Sequence, residues 1–374
     1  MEVRLAEVAP RHKRGVDPAD GAANDGGMLP AISVLVPVFN GGSDLEALLT
    51  SLRAQTGVDQ QILVLDSGST DGSDTLAAKF PETEWHRWSA AGFSHSGTRN
   101  RGVALTRHPL VLCAVQDARF EPGALARLAS LMDTHGLAAL SAAETPRPDA
   151  DAFARYSLHS YYRSLGLDPA RNGPRTIIHS RWEGTWRDKM NAASIGNVAC
   201  LYRRETLLAH PFEGAFAEDF DWAVRALKRG EAVGKTSEVR VIHSHTRPAF
   251  YALKRGFASR RLMRRFGVAA PLPTRTEEEL LSLLTGFVRA CAAEDAEVAG
   301  DIGLARFLEA TRPWPAARAD EDWAAVVADC APFDDGDRPT WALKALSGHL
   351  GWLLGDVDWT GSRARVIEAL AEGL

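Results

Sequence analysis

The fold is decided by Ile32-Ser33-Val34-Leu35-Val36-Pro37-Val38 and the segment that follows it, Phe39-Asn40-Gly41-Gly42-Ser43. A short, nearly continuous apolar run rich in β-branched residues is how a strand covered on both faces reads. Gly41-Gly42 then turns the chain, Ser43 with Glu46 three residues on forms a candidate capping box, and Leu45, Leu48, Leu49 and Leu52 repeat at helical spacing. The pattern returns at once. Gln61-Ile62-Leu63-Val64-Leu65 stops at Asp66, and the Ser/Gly/Asp-rich Ser67 to Ser73 leads into another short helix. Strand, turn and helix in repetition imply right-handed parallel crossovers and an α/β architecture, with a mostly parallel central sheet flanked by helices. The turn after the first strand is not GxGxxG, which argues against a nicotinamide-dependent dehydrogenase.

Further along, Leu110-Val111-Leu112-Cys113-Ala114-Val115 is another buried-type strand, and Pro122 suits the first turn of a helix carrying Leu125, Leu128 and Met132. Leu137 to Ala142 and Ile195 to Tyr202 read as later strands. After about Phe250 helices take over, first with Leu253, Phe257, Met263 and Phe266, then Leu280 to Val288, then a Trp-bearing tail. Met1 to Pro30 has no periodic apolar face and reads as a flexible tail. The expected organisation is a tail over 1–30, a catalytic domain over 31–250 with halves at 31–135 and 136–250, and a helical region over 251–374.

The 374 residues carry 45% hydrophobic side chains and a net charge of −5. That acidic balance, with no binding motif, disfavours nucleic acid as a partner. Cys113, Cys200, Cys291 and Cys330 lie far apart with no CxxC pair and read as reduced core residues. The longest apolar run, about Ala31 to Phe39, is too short to cross a bilayer, so a cytoplasmic enzyme is the default expectation.

In open parallel sheets ligands bind beyond the carboxyl ends of the strands, where three polar clusters fall. Asp66-Ser67-Gly68-Ser69-Thr70-Asp71 could accept from a nucleobase or ribose, or be an ordinary strand-to-helix turn. Gln116-Asp117 could present a carboxylate to a hard cation, or cap a helix. Glu218-Asp219-Phe220-Asp221 opens a helix with a buried stripe of Phe220, Val224 and Leu227; its carboxylates either answer the helix dipole or supply a general base. Arg99 could pair with a phosphate, and His243 and His245, two apart in an extended segment, face one side and could reach a metal. The basic residues of the 254–265 stretch are either a solvated face or a contact for a polyanionic acceptor, a diphosphate or anionic lipid. Trp314, Trp323, Trp341, Trp352 and Trp359 are core aromatics of a helical cap, a sugar-stacking platform or an interface.

In this order the pieces resemble the family 2 glycosyltransferases of the GT-A, Rossmann-like fold, and among them the bacterial rhamnosyltransferase-like members. The resemblance runs from about Ile32 to Phe266 and is carried by Ser33 to Asn40, Asp66 to Asp71, Phe93 to Asn100, Gln116-Asp117-Ala118, Glu218-Asp219 with Asp221-Trp222, and His243-Ser244-His245. It implies inverting transfer of a sugar from a nucleotide-diphosphate donor, with dTDP-L-rhamnose a plausible one, to a hydroxyl of a glycan or lipid-linked acceptor in bacterial surface polysaccharide synthesis. By that resemblance Pro37, Asn40, Asp66, Ser67, Arg99, Asn100 and Gln116 bind the nucleotide sugar, and Asp117, His243 and His245 hold Mg²⁺ or Mn²⁺. Asp219 is the implied base, supported by Glu218. The usual Asp-x-Asp metal motif is here Val115-Gln116-Asp117, with only its last carboxylate. The alternative from another class is a catalytically silent nucleotide-sugar-binding or assembly module of the same fold. Peripheral contact with the inner membrane through the 254–265 stretch stays open.

Overall fold

β1 (Ala31–Val38) lies within a nine-stranded sheet and sends its side chains to two different cores. The computed structural model describes residues 29–88, 93–214, 216–247, 249–269, 276, 278–280, 282 and 338–359. Most of the expected tail, Cys291, Cys330, Trp314, Trp323 and nearly all of Leu280 to Val288 lie outside these residues.

From β1 the chain runs through α1 (Gly42–Arg53), β2 (Asp59–Asp66), α2 (Leu76–Lys79), β3 (Thr83–Arg87), α3 (His95–Leu105), β4 (Leu110–Ala114) and β5 (Arg119–Phe120). α4 (Ala124–Thr134), β6 (Ala139–Thr145), α5 (Ala152–Ser164), α6 (Pro169–Asn172), β7 (Thr176–His179) and α7 (Trp186–Ala193) follow. The remainder is β8 (Ala199–Arg203), α8 (Arg204–Ala209), α9 (Glu218–Lys228), β9 (Val233–Ile242), α10 (Ala249–Arg265) and, as α11, Arg338–Gly355. The strand order is β3-β2-β1-β4-β8-β6-β9-β5, with β7 also on β9. β3, β2, β1 and β4 are parallel; β8 is antiparallel to both its neighbours, and β6 is parallel to β9.

Val34, Val36 and Val38 of β1 pack with Leu45, Leu48, Leu49 and Leu52 of α1 and with Leu125 and Leu128 of α4. Leu35, on the opposite face, joins Leu63 and Leu65 of β2, Val103 of α3 and Trp222 of α9. Burial on both faces explains the unbroken apolar runs in the sequence. The polar residues among them pair with each other, Ser33 donating to Gln61 Oε1 at 2.6 Å. Because the chain leaves β1 toward β2 on one side and reaches β4 on the other, a crevice opens at the carboxyl ends of β1 and β4.

Two local readings are corrected. Ser43 does not cap α1; the helix begins at Gly42, its N-cap Gly41 has no side-chain bond, and the Gly42 N–H is taken by Ser73 Oγ at 3.0 Å, a partner 31 residues away. α4 begins at Ala124, after Gly123 in the left-handed conformation at φ 79°, so Pro122 precedes the helix.

α3 approaches the sheet through Gly102, where a Cβ would lie 2.1 Å from Leu35 Cδ1 and 2.5 Å from Leu65 Cδ1. Overpacking of this kind costs about 1–3 kcal/mol. Gly102→Val is therefore expected to lower the urea midpoint clearly. An unchanged midpoint would mean that α3 does not sit this close to β1 and β2.

Candidate active site

The sheet register assembles the first cluster. β5 pairs antiparallel with β9, Arg119 opposite Ile242, while β6 runs parallel to β9 with Glu144 opposite Val241 and Thr145 opposite Ile242. Asp117 in the turn before β5, His243 just past β9 and Glu144 near the end of β6 are thereby drawn to one point. His243 Nε2 lies 3.6 Å and His245 Nδ1 3.4 Å from Asp117 Oδ2, and ligand atoms of the three residues all fall within 4.8 Å of one another. Glu144 Oε2 is 2.6 Å from His243 Nδ1, and Tyr162 donates to Glu144 Oε1 at 2.9 Å. A carboxylate only accepts, so Nδ1 carries the proton and, in the neutral ring, Nε2 offers a lone pair toward Asp117. Burial opposes charge on His243, but the Glu144 hydrogen bond and the charges of Glu144 and Asp117 lift it above the ordinary histidine range. One carboxylate and two imidazoles, with a carboxylate behind one of them, suit a divalent cation.

The second cluster opens α9. Ala217 stands in the left-handed region at φ 51° and ψ 48°, a strained conformation for a residue with a Cβ. Beyond it the two adjacent carboxylates meet different surroundings. Glu218 is 5% exposed, and its Oε1 accepts from Arg99 Nη1 at 2.7 Å and from Asn197 Nδ2 at 2.9 Å. Burial works against its charge, yet Arg99 and Asn197 hold the carboxyl below the usual glutamate range. Asp219 is half-buried and accepts from the main-chain N–H groups of Asn197 at 2.9 Å and Phe220 at 2.8 Å. Desolvation first, and the neighbouring Glu218 charge second, push its pKa up to about 6.

Two cavities meet beside these clusters. The larger, about 670 Å³, is lined by Asp219, Asn197, Glu144, Tyr161, Tyr251 and Arg255 among others. The smaller, about 200 Å³, is bounded by Pro37, Phe39, Phe93 and Gln116, and His95, Arg99 and Val115 belong to the walls of both. Phe39 and Phe93 are exposed aromatics at this smaller cavity.

Other residues singled out in the sequence do structural work. Gln116 clamps the Phe39 main chain, accepting from its N–H at 2.9 Å and donating to its carbonyl at 3.2 Å. Asn100 spends both ends of its amide on the Phe212 backbone, at 2.8 and 2.9 Å, and is not among the residues lining either cavity. Asn40, at φ 51°, accepts from the Thr70 N–H at 2.9 Å. Buried Ser67 donates its N–H to the Val38 carbonyl at 2.8 Å. Asp66 Oδ1 takes the N–H groups of Gly68 and Ser69 at 3.1 and 2.8 Å. Its buried Oδ2 accepts no hydrogen bond among the described residues and lies 3.5 Å from Arg87 Nε.

Residues 33–189 match the family model Glycosyl transferase family 2. This segment is a family 2 glycosyltransferase domain. The chain is 26% identical over 223 residues to an O-antigen chain rhamnosyltransferase of Salmonella anatum, covering 58% of this chain and 67% of that protein. It is 27% identical over 224 residues to an O-antigen chain rhamnosyltransferase of Salmonella typhimurium, covering 57% of this chain and 66% of the relative. In fold it is similar to a mannosyltransferase from Pyrobaculum calidifontis solved in complex with GDP-Man and Mn²⁺, with a TM-score of 0.52 and 16% identity over 88% of this chain and 87% of that one. The architecture is of the GT-A type, and Asp219, His243 and His245 lie beyond the segment that the glycosyltransferase family model matches.

α10 packs on α11, where Gly351 and Gly355 let the two backbones approach at Leu253 and Phe257, and its Tyr251 and Arg255 line the larger cavity. Much of the basic stretch turns out to be spent on the chain itself. Arg260 is 2% exposed and donates to Asp356 at 2.8 Å, and Arg264 makes a two-pronged pair with Asp358 at 3.0 Å. Trp359 is buried and Trp352 lies 5.5 Å from the Arg260 guanidinium, so these two aromatics belong to the helical cap. Among the described residues no helix is long and apolar enough to cross a membrane.

Sequence reasoning missed Glu144 and Asn197. Glu144 carried a usable signal, a carboxylate closing an apolar strand as Asp66 does. Asn197 carried none, since its partners are set only by folding. Saturable Mn²⁺ binding, read by paramagnetic resonance at pH 8, is expected for the wild type and lost in Asp117→Asn. Glu144→Gln should weaken it about 10–100-fold, the usual scale for a residue that orients a ligating histidine. Unchanged affinity in Glu144→Gln would remove it from that role.

Proposed function

We propose that the protein is a metal-assisted, inverting glycosyltransferase that moves a sugar from a nucleotide-diphosphate donor to a hydroxyl of a glycan or lipid-linked acceptor. The observation that carries this reading is the adjacency of two clusters. The Asp117, His243 and His245 donor set adjoins, through Glu144, the same cavity that Asp219 lines. In the proposed site the nucleoside occupies the smaller cavity, between Phe39 and Phe93. A bound cation would neutralise the charge of the departing diphosphate. Two imidazoles beside one carboxylate favour Mn²⁺ over Mg²⁺, which prefers oxygen shells.

Asp219 then takes the acceptor hydroxyl proton. The oxygen attacks the anomeric carbon as the bond to the diphosphate breaks, and the bonding pair leaves with the nucleoside diphosphate. With no covalent intermediate the anomeric configuration inverts. The names of the Salmonella relatives favour dTDP-L-rhamnose and a role in surface polysaccharide assembly. Retention of a half-buried carboxylate with its pKa near neutrality supports transfer over a silent binding module, which has no chemical use for a base.

A panel of nucleotide sugars offered with glycan and lipid-linked acceptors tests this. Asp219→Asn is expected to reduce transfer about 10²–10⁴-fold with the fold intact, the usual contribution of a general base. The base must be deprotonated to act, so the rate should rise with pH and level off above about 6. Near-normal turnover by Asp219→Asn would remove it from the base role.

A further inference from the structure

Asn197 makes three hydrogen bonds to the acid pair and its support, and no catalytic motif includes it. Its main-chain N–H donates to Asp219 Oδ2 at 2.9 Å, its Nδ2 donates to Glu218 Oε1 at 2.9 Å, its Oδ1 accepts from Tyr202 Oη at 2.8 Å, and it lines the larger cavity. The orientation of the amide follows from chemistry. A carboxylate can only accept, so nitrogen must face Glu218, and the oxygen then takes the phenol proton. Tyr202 is fully buried, and burial pushes its phenol well above the usual range, so it stays a neutral donor.

The short segment that carries Asn197 is itself braced. Ser194 Oγ donates to the Met190 carbonyl at 2.7 Å, the Ile195 N–H to the Ala193 carbonyl at 2.8 Å, and the Gly196 N–H to Ser141 Oγ at 3.2 Å. Asn197 is 3% exposed and so sits in low dielectric, where a misplaced donor is expensive.

We propose that Asn197 is a positioning residue that makes the adjacent carboxylates of α9 inequivalent. It fixes Glu218 against Arg99 as a permanent anion and leaves Asp219 as the carboxylate whose proton is exchanged with the cavity. This rests on Asp219 being the base, and it explains how two neighbouring acids divide the work. If both were held alike, they would share protons as a symmetric pair and neither would be poised. The other charged and titratable groups around the pair are Arg99 and His95 of α3, Tyr161 of α5, Tyr202 and Cys200 of β8, Cys113 of β4 and, in the walls of the same cavity, Glu144 of β6 and Arg255 of α10. Of these Arg99 is the cation paired with Glu218, and burial keeps Cys113, Cys200 and the Tyr202 phenol protonated.

Carboxyl ¹³C NMR titration of the full chain tests this without substrate, with Asp219 assigned by loss of its signal in Asp219→Asn and Glu218 by Glu218→Gln. In the wild type Asp219 is expected to titrate near 6, and Glu218 below the ordinary glutamate range. In Asn197→Ala, Glu218 loses a charge-assisted donor and its midpoint rises. The Asp219 midpoint, held by main-chain donors that the substitution keeps, stays near 6, so the gap between the two narrows by about one pH unit. Asn197→Asp, of the same shape, places a third carboxylate against Glu218 and should bind an extra proton, visible as a new carboxyl titrating above the ordinary aspartate range. An unmoved Glu218 midpoint in a folded Asn197→Ala, or no new titration in Asn197→Asp, would overturn the proposal. Full transfer by Asp219→Asn would instead overturn the base assignment, a separate result that the titration does not depend on.

Discussion

The site depends on one buried ion pair, Arg99 of α3 with Glu218 of α9, 2.7 Å apart with both side chains nearly inaccessible. These residues are 119 positions apart, Arg99 within the segment that the glycosyltransferase family model matches and Glu218 beyond it. Breaking such a pair by removing one partner strands a charge in low dielectric and typically costs about 3–5 kcal/mol. Its net contribution to stability is small for the same reason, since desolvation offsets most of the attraction. What the pair supplies is placement. Arg99 belongs to the walls of both cavities, and Glu218 adjoins Asp219, so the pair ties the smaller cavity to the proposed base.

A second constraint acts through the sheet. The antiparallel β5–β9 pairing and the parallel β6–β9 pairing leave Asp117, Glu144 and His243 no alternative but to converge. This bears on the altered Val115-Gln116-Asp117 segment. Val115 lies in the cavity walls and Gln116 is committed to the Phe39 backbone, so Asp117 is the one carboxylate the segment can offer. Two histidines supply the remaining donors. The cation site in this account is therefore set as much by strand register as by the local motif.

The parallel half of the fold was legible because β1, β2 and β4 are buried on both faces and so read as unbroken apolar runs. β3 was not, since Thr83-Glu84-Trp85-His86-Arg87 is an edge strand with half-buried, mostly polar side chains. The direction of β8 was illegible too, because an apolar strand between two neighbours looks alike in either sense. The capping box failed at Ser43 because Ser73 satisfies that helix end from across the turn. The joint set of Asp117, His243 and His245 was implied by the family resemblance, not by residue type alone, whereas Asn100 and Arg99 look like ligand-binding residues and are engaged with protein partners. Long-range partners decide such cases, and a single sequence does not carry them.

The central claim is that the crevice holds a nucleoside diphosphate through a cation at Asp117, His243 and His245. Calorimetric titration of dTDP, UDP and GDP into the full chain, with and without Mn²⁺ and repeated on Asp117→Ala, tests it most directly. The account predicts that one nucleotide binds well ahead of the others, that binding requires Mn²⁺, and that Asp117→Ala weakens it. Failure of all three nucleotides to bind the folded protein in the presence of Mn²⁺ would contradict it.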